Sequence, residues 1–340
     1  MIDRDKRLKH LILTLARLGG INALLRAGSR DAFRIVTYHG VDELDHPIVN
    51  FDHLQVEPRL FARQVESLAR TYQIVPLREA LEGFLAGRGW PKRGMAITFD
   101  DGYRNNLTHA APVLQKIGVP ATFFVTAGFV EGRARAWWYD LRETIARAHG
   151  TELLLPGEPV RDLRTQEAKR FCCRSLDWAW VGLPEADRQV RLQQLQELCQ
   201  VPEMPMRYPF LSLDQARRLA SLGFDLEPHG DTHCSLRAEP EARVIKEIQS
   251  SAAFIRSLNG REPCCLAWPY GHTPATCALT ERALGAAGIP AAVSVLTGFN
   301  DASVDRFALR RLDMHGGYTI NAMQARLSGF SSLLRAEPSA

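Results

Sequence analysis

The sequence predicts an α/β protein built as a βα barrel, and two observations carry this prediction. Three segments share a pattern in which an apolar helix ends at a glycine and a strand follows: VLQKIGVPATFFVT, LASLGFDLEPH and LGAAGIPAAVSV. Such helix-to-strand returns indicate mostly parallel strands. Further strand candidates lie at residues 33–38, 74–77, 95–99, 266–269 and 307–312. Seven or eight short strands with helices between them favour a barrel over an open doubly wound sheet.

Composition sets the protein class. The chain has 340 residues, is 46% hydrophobic and 24% charged, and carries a formal net charge of +4. These values are ordinary for a globular protein. The basic residues are scattered along the chain, with no basic run interleaved with aromatic residues, so no nucleic-acid partner is predicted. The seven cysteines are odd in number and form no CxxC pair, which favours free thiols in a reducing compartment.

The N-terminal residues 1–30 are predicted to form an amphipathic helix, apolar along residues 11–18. Packing against the barrel is one interpretation. The alternative is a peripheral membrane contact, helped by Lys6, Arg7 and Lys9. No transmembrane helix and no cleavable export signal are recognised, which favours a cytoplasmic location, at the inner membrane surface if the helix binds there.

The barrel is expected to span residues 31–330, with a helical insertion at about 131–206 and a disordered tail at 331–340. The insertion breaks the βα rhythm, and helical patterns lie near residues 139–148 and 166–201. Its tryptophans can form a small core of their own or stack on sugar rings; they are Trp137, Trp138, Trp178 and Trp180.

Polar residues collect where several predicted strands end. His39 ends FRIVTYH, Asp100 and Asp101 end MAITFDD, His229 ends FDLEPH, and Tyr270 ends CLAWPY. In βα barrels, active sites are built at the carboxyl ends of the strands. The sequence therefore predicts a catalytic site there.

The segment HGDTH places His229 and His233 four residues apart, in a loop or at a helix start. Two imidazoles and a carboxylate suit Zn²⁺ or a similar divalent ion, with open positions for water and substrate. Adjacent carboxylates repel unless a cation holds one of them. We therefore expect Asp101 to be the third metal ligand and Asp100 to remain free as a base that takes a proton from the attacking water.

At these residues the sequence resembles the polysaccharide deacetylases, which carry the NodB-homology domain and form carbohydrate esterase family 4. The motif TFDDG is matched in full by residues 98–102, the second motif by His229 and His233, and a Pro-Tyr-Gly motif by residues 269–271. VTYHGV is similar to the opening strand of a subgroup with a YHxV motif that deacetylates poly-N-acetylglucosamine.

The resemblance implies a distorted (β/α)₇ barrel and metal-dependent removal of acetyl groups from N-acetylated sugars. The predicted insertion lies between the first and second metal-binding motifs, outside the part of the chain that shows the resemblance. It implies that Asp100 is the base and that Asp101, His229 and His233 hold the metal. The backbone N–H of Tyr270 would stabilise the oxyanion.

The sequence departs from the family at two places. Many members have an arginine three residues before the Tyr of the third motif, and it orients the base; here that residue is Ala267. Arg310 and Arg311 are candidate replacements. Members also use a late histidine as the general acid. In the YHxV subgroup the first strand supplies it, so His39 is our first choice and His315 the second.

The predicted function is therefore hydrolysis of acetamide groups on a polysaccharide, an oligosaccharide or a lipid-linked glycan. One alternative is a hydrolase of another small amide or cyclic ureide on the same scaffold. Another is a non-catalytic glycan-binding relative, although the complete Asp-Asp-His-His set argues against it. The sequence does not predict the sugar, the linkage or the oligomeric state.

Overall fold

The structure is a computed structural model, and it describes residues 20–43, 46–203, 205–271 and 277–330. The predicted tail lies outside the described residues, as do the first 19 residues of the predicted N-terminal helix. None of the helices within the described ranges is long and apolar enough to cross a membrane.

Eight parallel strands of the described residues form a nearly closed barrel, as predicted. The strands of the structure are β1 (Arg34–Tyr38), β2 (Gly40–Val41), β3 (Gln55–Val56), β4 (Gln73–Ile74), β5 (Gly94–Phe99), β6 (Thr122–Val125), β7 (Glu152–Leu153), β8 (Arg161–Asp162), β9 (Asp225–Pro228), β10 (Leu266–Ala267), β11 (Ala292–Thr297) and β12 (Leu309–Asp313). The strand order in the barrel is β10-β11-β12-β1-β5-β6-β9, and β4 pairs with the first residues of β5. Two short ladders lie outside the barrel, one parallel (β2–β3) and one antiparallel (β7–β8).

Helices connect the strands and cover the barrel. They are α1 (Ile21–Gly28), α2 (Pro58–Thr71), α3 (Leu77–Leu85), α4 (Ala111–Ile117), α5 (Ala127–Val130), α6 (Trp137–Arg147), α7 (Gln166–Trp180), α8 (Glu185–Cys199), α9 (Leu213–Ser221), α10 (Glu241–Asn259), α11 (Cys277–Ala287) and α12 (Ile320–Ser328). A π-helical turn, Asn106–Ala110, precedes α4, and a 3₁₀ turn, Pro269–Gly271, follows β10.

Strand alternation decides which side chains enter the barrel. One set, drawn from six strands, forms a buried interior cluster that includes Ile35, Ala96, Phe124, Val293 and Leu309. The opposite set packs outward against the helices. Because every second side chain of a strand points to the same side, the interior set continues into Asp100, directly after β5, and into Arg311 on β12. The alternation therefore aims both at the barrel mouth.

The barrel closes between β9 and β10 through side chains. The Nδ1 of His229 donates to the Ala267 carbonyl at 2.8 Å. Glu227, from β9, accepts the backbone N–H groups of Cys264 at 3.0 Å and of Cys265 at 3.4 Å. We call this contact line the seam. Burial of Glu227 raises its pKa to about 7, even though the Arg78 guanidinium and the Cys264 and Cys265 bonds act in the opposite direction.

The insertion differs in detail from the expectation. It contains three helices, α6 to α8, but a break at residues 181–184 divides the single helical pattern predicted over 166–201. It also holds the short β7–β8 hairpin, which the sequence reasoning missed. The strand predicted at 74–77 is wrong over most of its length: β4 ends at Ile74, and Leu77 already begins α3.

Candidate active site

The carboxyl ends of the parallel strands meet at a cleft of about 430 Å³. His39 follows β1 directly, Asp100 and Asp101 follow β5, and His229 follows β9. His233 and Tyr270 also line the cleft. The structure therefore brings together all the predicted site residues except His315, which does not line the cleft.

The turn after β5 separates two neighbouring carboxylates. Asp101 and Gly102 both have left-handed backbones, with φ of 73° and 82°, and the Gly102 N–H bonds the Asp100 carbonyl at 3.0 Å. A Cβ on Gly102 would lie 3.0 Å from Val125, so glycine fits both the conformation and the space. Asp is among the few residues that tolerate this conformation. The turn therefore presents the two carboxylates to different neighbours.

Asp101, His229 and His233 form a buried three-ligand cluster. The Oδ1 of Asp101 lies 3.3 Å from Nε2 of His229 and 3.2 Å from Nε2 of His233. The three potential ligand atoms lie within 4.8 Å of one another. The bond from His229 Nδ1 to the Ala267 carbonyl leaves Nε2 free for a ligand role, which is the usual outer-shell arrangement for a metal-binding histidine.

The charges of this cluster fit a cation. Burial would raise the pKa of Asp101, but hydrogen bonds from His229 and His233 outweigh burial and hold it well below its usual range. Burial lowers the pKa of His233, whereas for His229 the Asp101 and Asp100 carboxylates outweigh burial and raise the pKa. An ionised carboxylate facing two imidazole nitrogens is the donor set that a divalent ion such as Zn²⁺ prefers.

The HGDTH segment is a turn held from below by a helix, which explains how the two imidazoles converge. Glu247 of α10 is almost fully buried and accepts the backbone N–H of Asp231 at 2.9 Å and of Thr232 at 2.8 Å. His233 has a left-handed φ of 60°, and its ring contacts Trp138. Sequence reasoning missed Glu247; the signal was an acidic residue beside Val244 and Ile248 on the apolar face of a helix.

Asp100 is held by a different partner. Arg311 makes two bonds of 2.7 Å to the two carboxylate oxygens of Asp100, and both side chains are buried. Arg311 is itself fixed by the Ser294 carbonyl at 2.8 Å and the Thr37 hydroxyl at 3.0 Å. Of the two arginines considered, the structure thus places Arg311 against Asp100, and Arg310 is exposed.

Arg311 also sets the charge of Asp100. Burial would raise the pKa of this carboxyl, but the Arg311 guanidinium, with help from His229 and His39, outweighs burial and lowers the pKa below its usual value. Asp100 is therefore an ionised acceptor with a fixed orientation next to the Asp101 cluster.

The two candidate acids lie in different surroundings. His39 lines the cleft, and its backbone carbonyl accepts a bond from Asn106 at 2.8 Å. The His315 ring lies against Tyr318, at 3.8 Å between ring centroids, and its Nδ1 accepts the Gly317 N–H. Of these two histidines, His39 lines the cleft and His315 does not.

Tyr270 reaches the cleft with a left-handed backbone, at φ 56°. Its hydroxyl accepts a bond of 2.6 Å from the indole N–H of Trp137, which ties the third motif to the insertion.

The insertion supplies one wall of the cleft. Trp137, Trp138 and Trp180 are buried, as a small core requires, but Trp178 is 84% exposed at the cleft rim. Behind it, Arg142 is paired with Asp52 at 2.8 Å and with Asp177 at 2.6 Å. Burial raises the pKa of Asp177 to about 6, although Arg142 acts against this rise.

Comparison with known families agrees with this geometry. The family model described as polysaccharide deacetylase matches residues 88–156 and 185–289, slightly more than half of the chain. These ranges include Asp100, Asp101, His229, His233 and the Pro-Tyr-Gly motif. No curated protein matches the chain.

Solved structures with the same fold are distant in sequence. The deacetylase PplD of Streptococcus pyogenes, solved in complex with acetate, is 15% identical; the match covers 90% of this chain and 99% of PplD, with a TM-score of 0.57. IcaB of Ammonifex degensii is 19% identical; the match covers 88% of this chain and 97% of IcaB, with a TM-score of 0.57. The BpsB deacetylase domain of Bordetella bronchiseptica is 17% identical; the match covers 84% of this chain and 96% of that domain, with a TM-score of 0.50.

Proposed function

Because the chain belongs to the polysaccharide deacetylase family, we propose that it is a metal-dependent hydrolase that removes acetyl groups from the N-acetylated sugars of a glycan. The observation that carries the proposal is that a candidate metal site and a candidate base lie in one cleft. The Asp101–His229–His233 cluster lies beside the Asp100 carboxylate, and Arg311 fixes the orientation of that carboxylate through two hydrogen bonds and keeps it ionised.

Asp101, His229 and His233 would hold the ion. The ionised Asp101 carboxylate faces the Nε2 atoms of both histidines, and the three potential ligand atoms lie within 4.8 Å of one another, so the donor set fits a divalent cation. When bound, such an ion supplies an acidified water and a positive charge beside the acetyl carbonyl oxygen.

The chain's own residues would then move the protons. Asp100 accepts the proton of the attacking water, because it is ionised and Arg311 prevents it from rotating away. His39 donates a proton to the departing amine of the sugar. The backbone N–H of Tyr270 donates to the oxygen of the tetrahedral carbon. In this reaction the amide C–N bond breaks, and the products are acetate and a free amino sugar.

The assignment of His39 also supports placing the chain with the subgroup that has a YHxV first strand. The residue that follows β1 lines the cleft, whereas the late His315 does not. The exposed Trp178 at the rim and the aromatic wall of the insertion support a substrate with sugar rings rather than a small cyclic amide.

The proposal is tested by measuring acetate release from N-acetylglucosamine oligomers together with bound metal. The Asp100→Asn variant should keep the metal and lose roughly 10²-fold or more of the activity. The Asp101→Asn variant should lose both. Chelation should abolish activity, and adding the metal back should restore it. Activity that is indifferent to chelation would overturn the metal-dependent mechanism, and full activity of Asp100→Asn would overturn the assignment of the base.

A further inference from the structure

A second cavity of about 430 Å³ lies at the opposite end of the barrel from the active site. Five arginines line it: Arg26, Arg30, Arg34, Arg70 and Arg93. Arg34 is the first residue of β1, and Arg93 immediately precedes β5. Both strands run parallel and lead to His39 and Asp100 at their other ends. We call this space the arginine cavity.

The described residues that line the arginine cavity include neither an aspartate nor a glutamate. The nearest ion pairs are long and exposed: Arg30 lies 3.9 Å from Asp31, and Arg70 lies 3.9 Å from Glu66. Exposed pairs of this length contribute little. The local charge is thus strongly positive, in a chain whose net charge is only +4.

Arg34 forms the buried part of this charge. It is 1% exposed, and its described bonds go only to neutral acceptors: the carbonyls of Leu327 at 2.9 Å, Ala32 at 3.0 Å and Ser29 at 3.2 Å, and the Ser29 hydroxyl at 2.6 Å. A buried cation without an anionic partner is unusual, because burying a charge is costly unless it is paired. The positive charge of Arg34 therefore adds to that of the other four arginines that line the cavity.

The other four guanidinium groups keep most of their donors unused by described hydrogen bonds. Arg26 makes one bond to Gln324 at 3.3 Å, and Arg93 makes one to the Thr71 carbonyl at 2.8 Å. Each guanidinium has five N–H donors in a planar fork. Several such forks around one cavity match the geometry and charge of a phosphate group, which offers several oxygens and up to two negative charges.

We propose that the arginine cavity is a binding site for a phosphate-bearing anion, distinct from the deacetylase site. The phosphate can belong to a soluble phosphate ester or to a lipid headgroup. In the sequence, the basic residues Lys6, Arg7 and Lys9 precede α1, which supplies Arg26 to the cavity. The two sources share the recognition chemistry, and the experiment separates them.

The test uses the full chain and inorganic pyrophosphate as the soluble probe, titrated in thermal unfolding and calorimetry at constant ionic strength. The variant Arg30→Gln/Arg70→Gln removes two side chains that are 65% and 72% exposed, so folding should be unaffected. The control Arg217→Gln/Arg282→Gln removes two arginines of similar exposure, 57% and 55%, that do not line the cavity.

Both doubly substituted proteins have the same net charge, so they distinguish a site from a general charge effect. We expect saturable pyrophosphate binding in the parent protein and in the control, and an affinity at least about tenfold lower in Arg30→Gln/Arg70→Gln. Equal weakening in both variants would overturn the proposal. The absence of saturable binding to both pyrophosphate and anionic lipid vesicles would also overturn it.

The second arm measures co-sedimentation with phosphatidylcholine vesicles, with and without phosphatidylglycerol. Binding that needs the anionic lipid and the cavity arginines, without a response to pyrophosphate, would assign the site to a lipid headgroup. A pyrophosphate response without vesicle binding would assign it to a soluble phosphate. Acetate release should be the same in all three proteins, because no substituted residue lies in the deacetylase cleft.

Discussion

Replacing Arg311 with methionine tests how the protein positions its base. The substitution removes both 2.7 Å bonds to Asp100 and also leaves the Ser294 carbonyl without its 2.8 Å donor. Methionine keeps a long side chain of similar reach, so the change is in charge and hydrogen bonding more than in volume. The adjacent Arg310 is exposed, and Arg310→Met is the matched control because it loses the same charge and the same chemical groups.

The magnitude follows from the burial of the pair. Both side chains are at most 4% exposed, and removing one partner of a buried ion pair costs about 3–5 kcal/mol. The Arg311 guanidinium is the main influence that opposes burial at Asp100, with smaller contributions from His229 and His39. Without Arg311 the pKa of Asp100 therefore rises in the metal-free protein, which makes the carboxyl a poorer proton acceptor at mildly acidic pH.

The sign of the pH dependence follows from these directions. In the parent protein the lowered pKa of Asp100 contributes stability above the unfolded pKa, and this contribution is lost as the pH falls through the folded pKa. In Arg311→Met the folded pKa of Asp100 is higher than in the parent protein, so less of this contribution is present at neutral pH. The difference in unfolding free energy between the two proteins should therefore be larger at neutral pH than at mildly acidic pH.

The assay is kcat/KM for acetate release across pH, with bound metal measured on the same samples. We expect Arg311→Met to retain its metal, to lose roughly 10²-fold in kcat/KM near neutral pH, and to show an acidic limb displaced to higher pH. Arg310→Met should match the parent protein. If Arg311→Met and Arg310→Met have the same profile, the reasoning about the orientation of Asp100 is refuted.

Three further predictions concern the acid, the rim and the turn. His39→Gln should lower kcat roughly 10²-fold and His315→Gln should not; the reverse order would make His315 the acid. Trp178→Ala should raise KM for sugar oligomers up to about tenfold, the value of one aromatic contact, and leave kcat unchanged; an unchanged KM would remove this ring from substrate binding. Glu247→Ala should weaken metal binding about 10–100-fold, because it loosens the turn that carries both histidines, while Glu241→Ala on the same helix should have no effect. Equal metal affinities in these two variants would show that the turn does not depend on Glu247.

The barrel was predictable because its signals are local. Apolar segments bounded by glycines gave the parallel strands, and polar residues at the strand ends identified the mouth. The strand prediction failed at residues 74–77, where β4 ends at Ile74 and Leu77 enters α3. Short apolar runs do not distinguish the end of a strand from the start of a helix.

The supports of the site were harder to predict because they depend on distant pairings. The spacing of HGDTH suggested a metal site, but only the fold shows that Glu247 holds its turn. Arg310 and Arg311 were equivalent in sequence. The register of β12 against β1 decides between them, since it turns Arg311 inward beside Thr37 and leaves its neighbour outside.

The two nitrogens of the His229 ring have different partners. Nε2 is the candidate metal ligand, and Nδ1 belongs to the seam through its 2.8 Å bond to the Ala267 carbonyl. Anything that fixes its Nε2 therefore also immobilises the join between the first and last strands of the sheet. By thermodynamic reciprocity, if ion binding favours closure of the seam by some factor, closure of the seam strengthens ion binding by the same factor. The backbone N–H groups of Cys264 and Cys265 face Glu227 across the seam. Their hydrogen exchange should therefore slow when the metal binds, so exchange at the seam would report whether the metal site is filled.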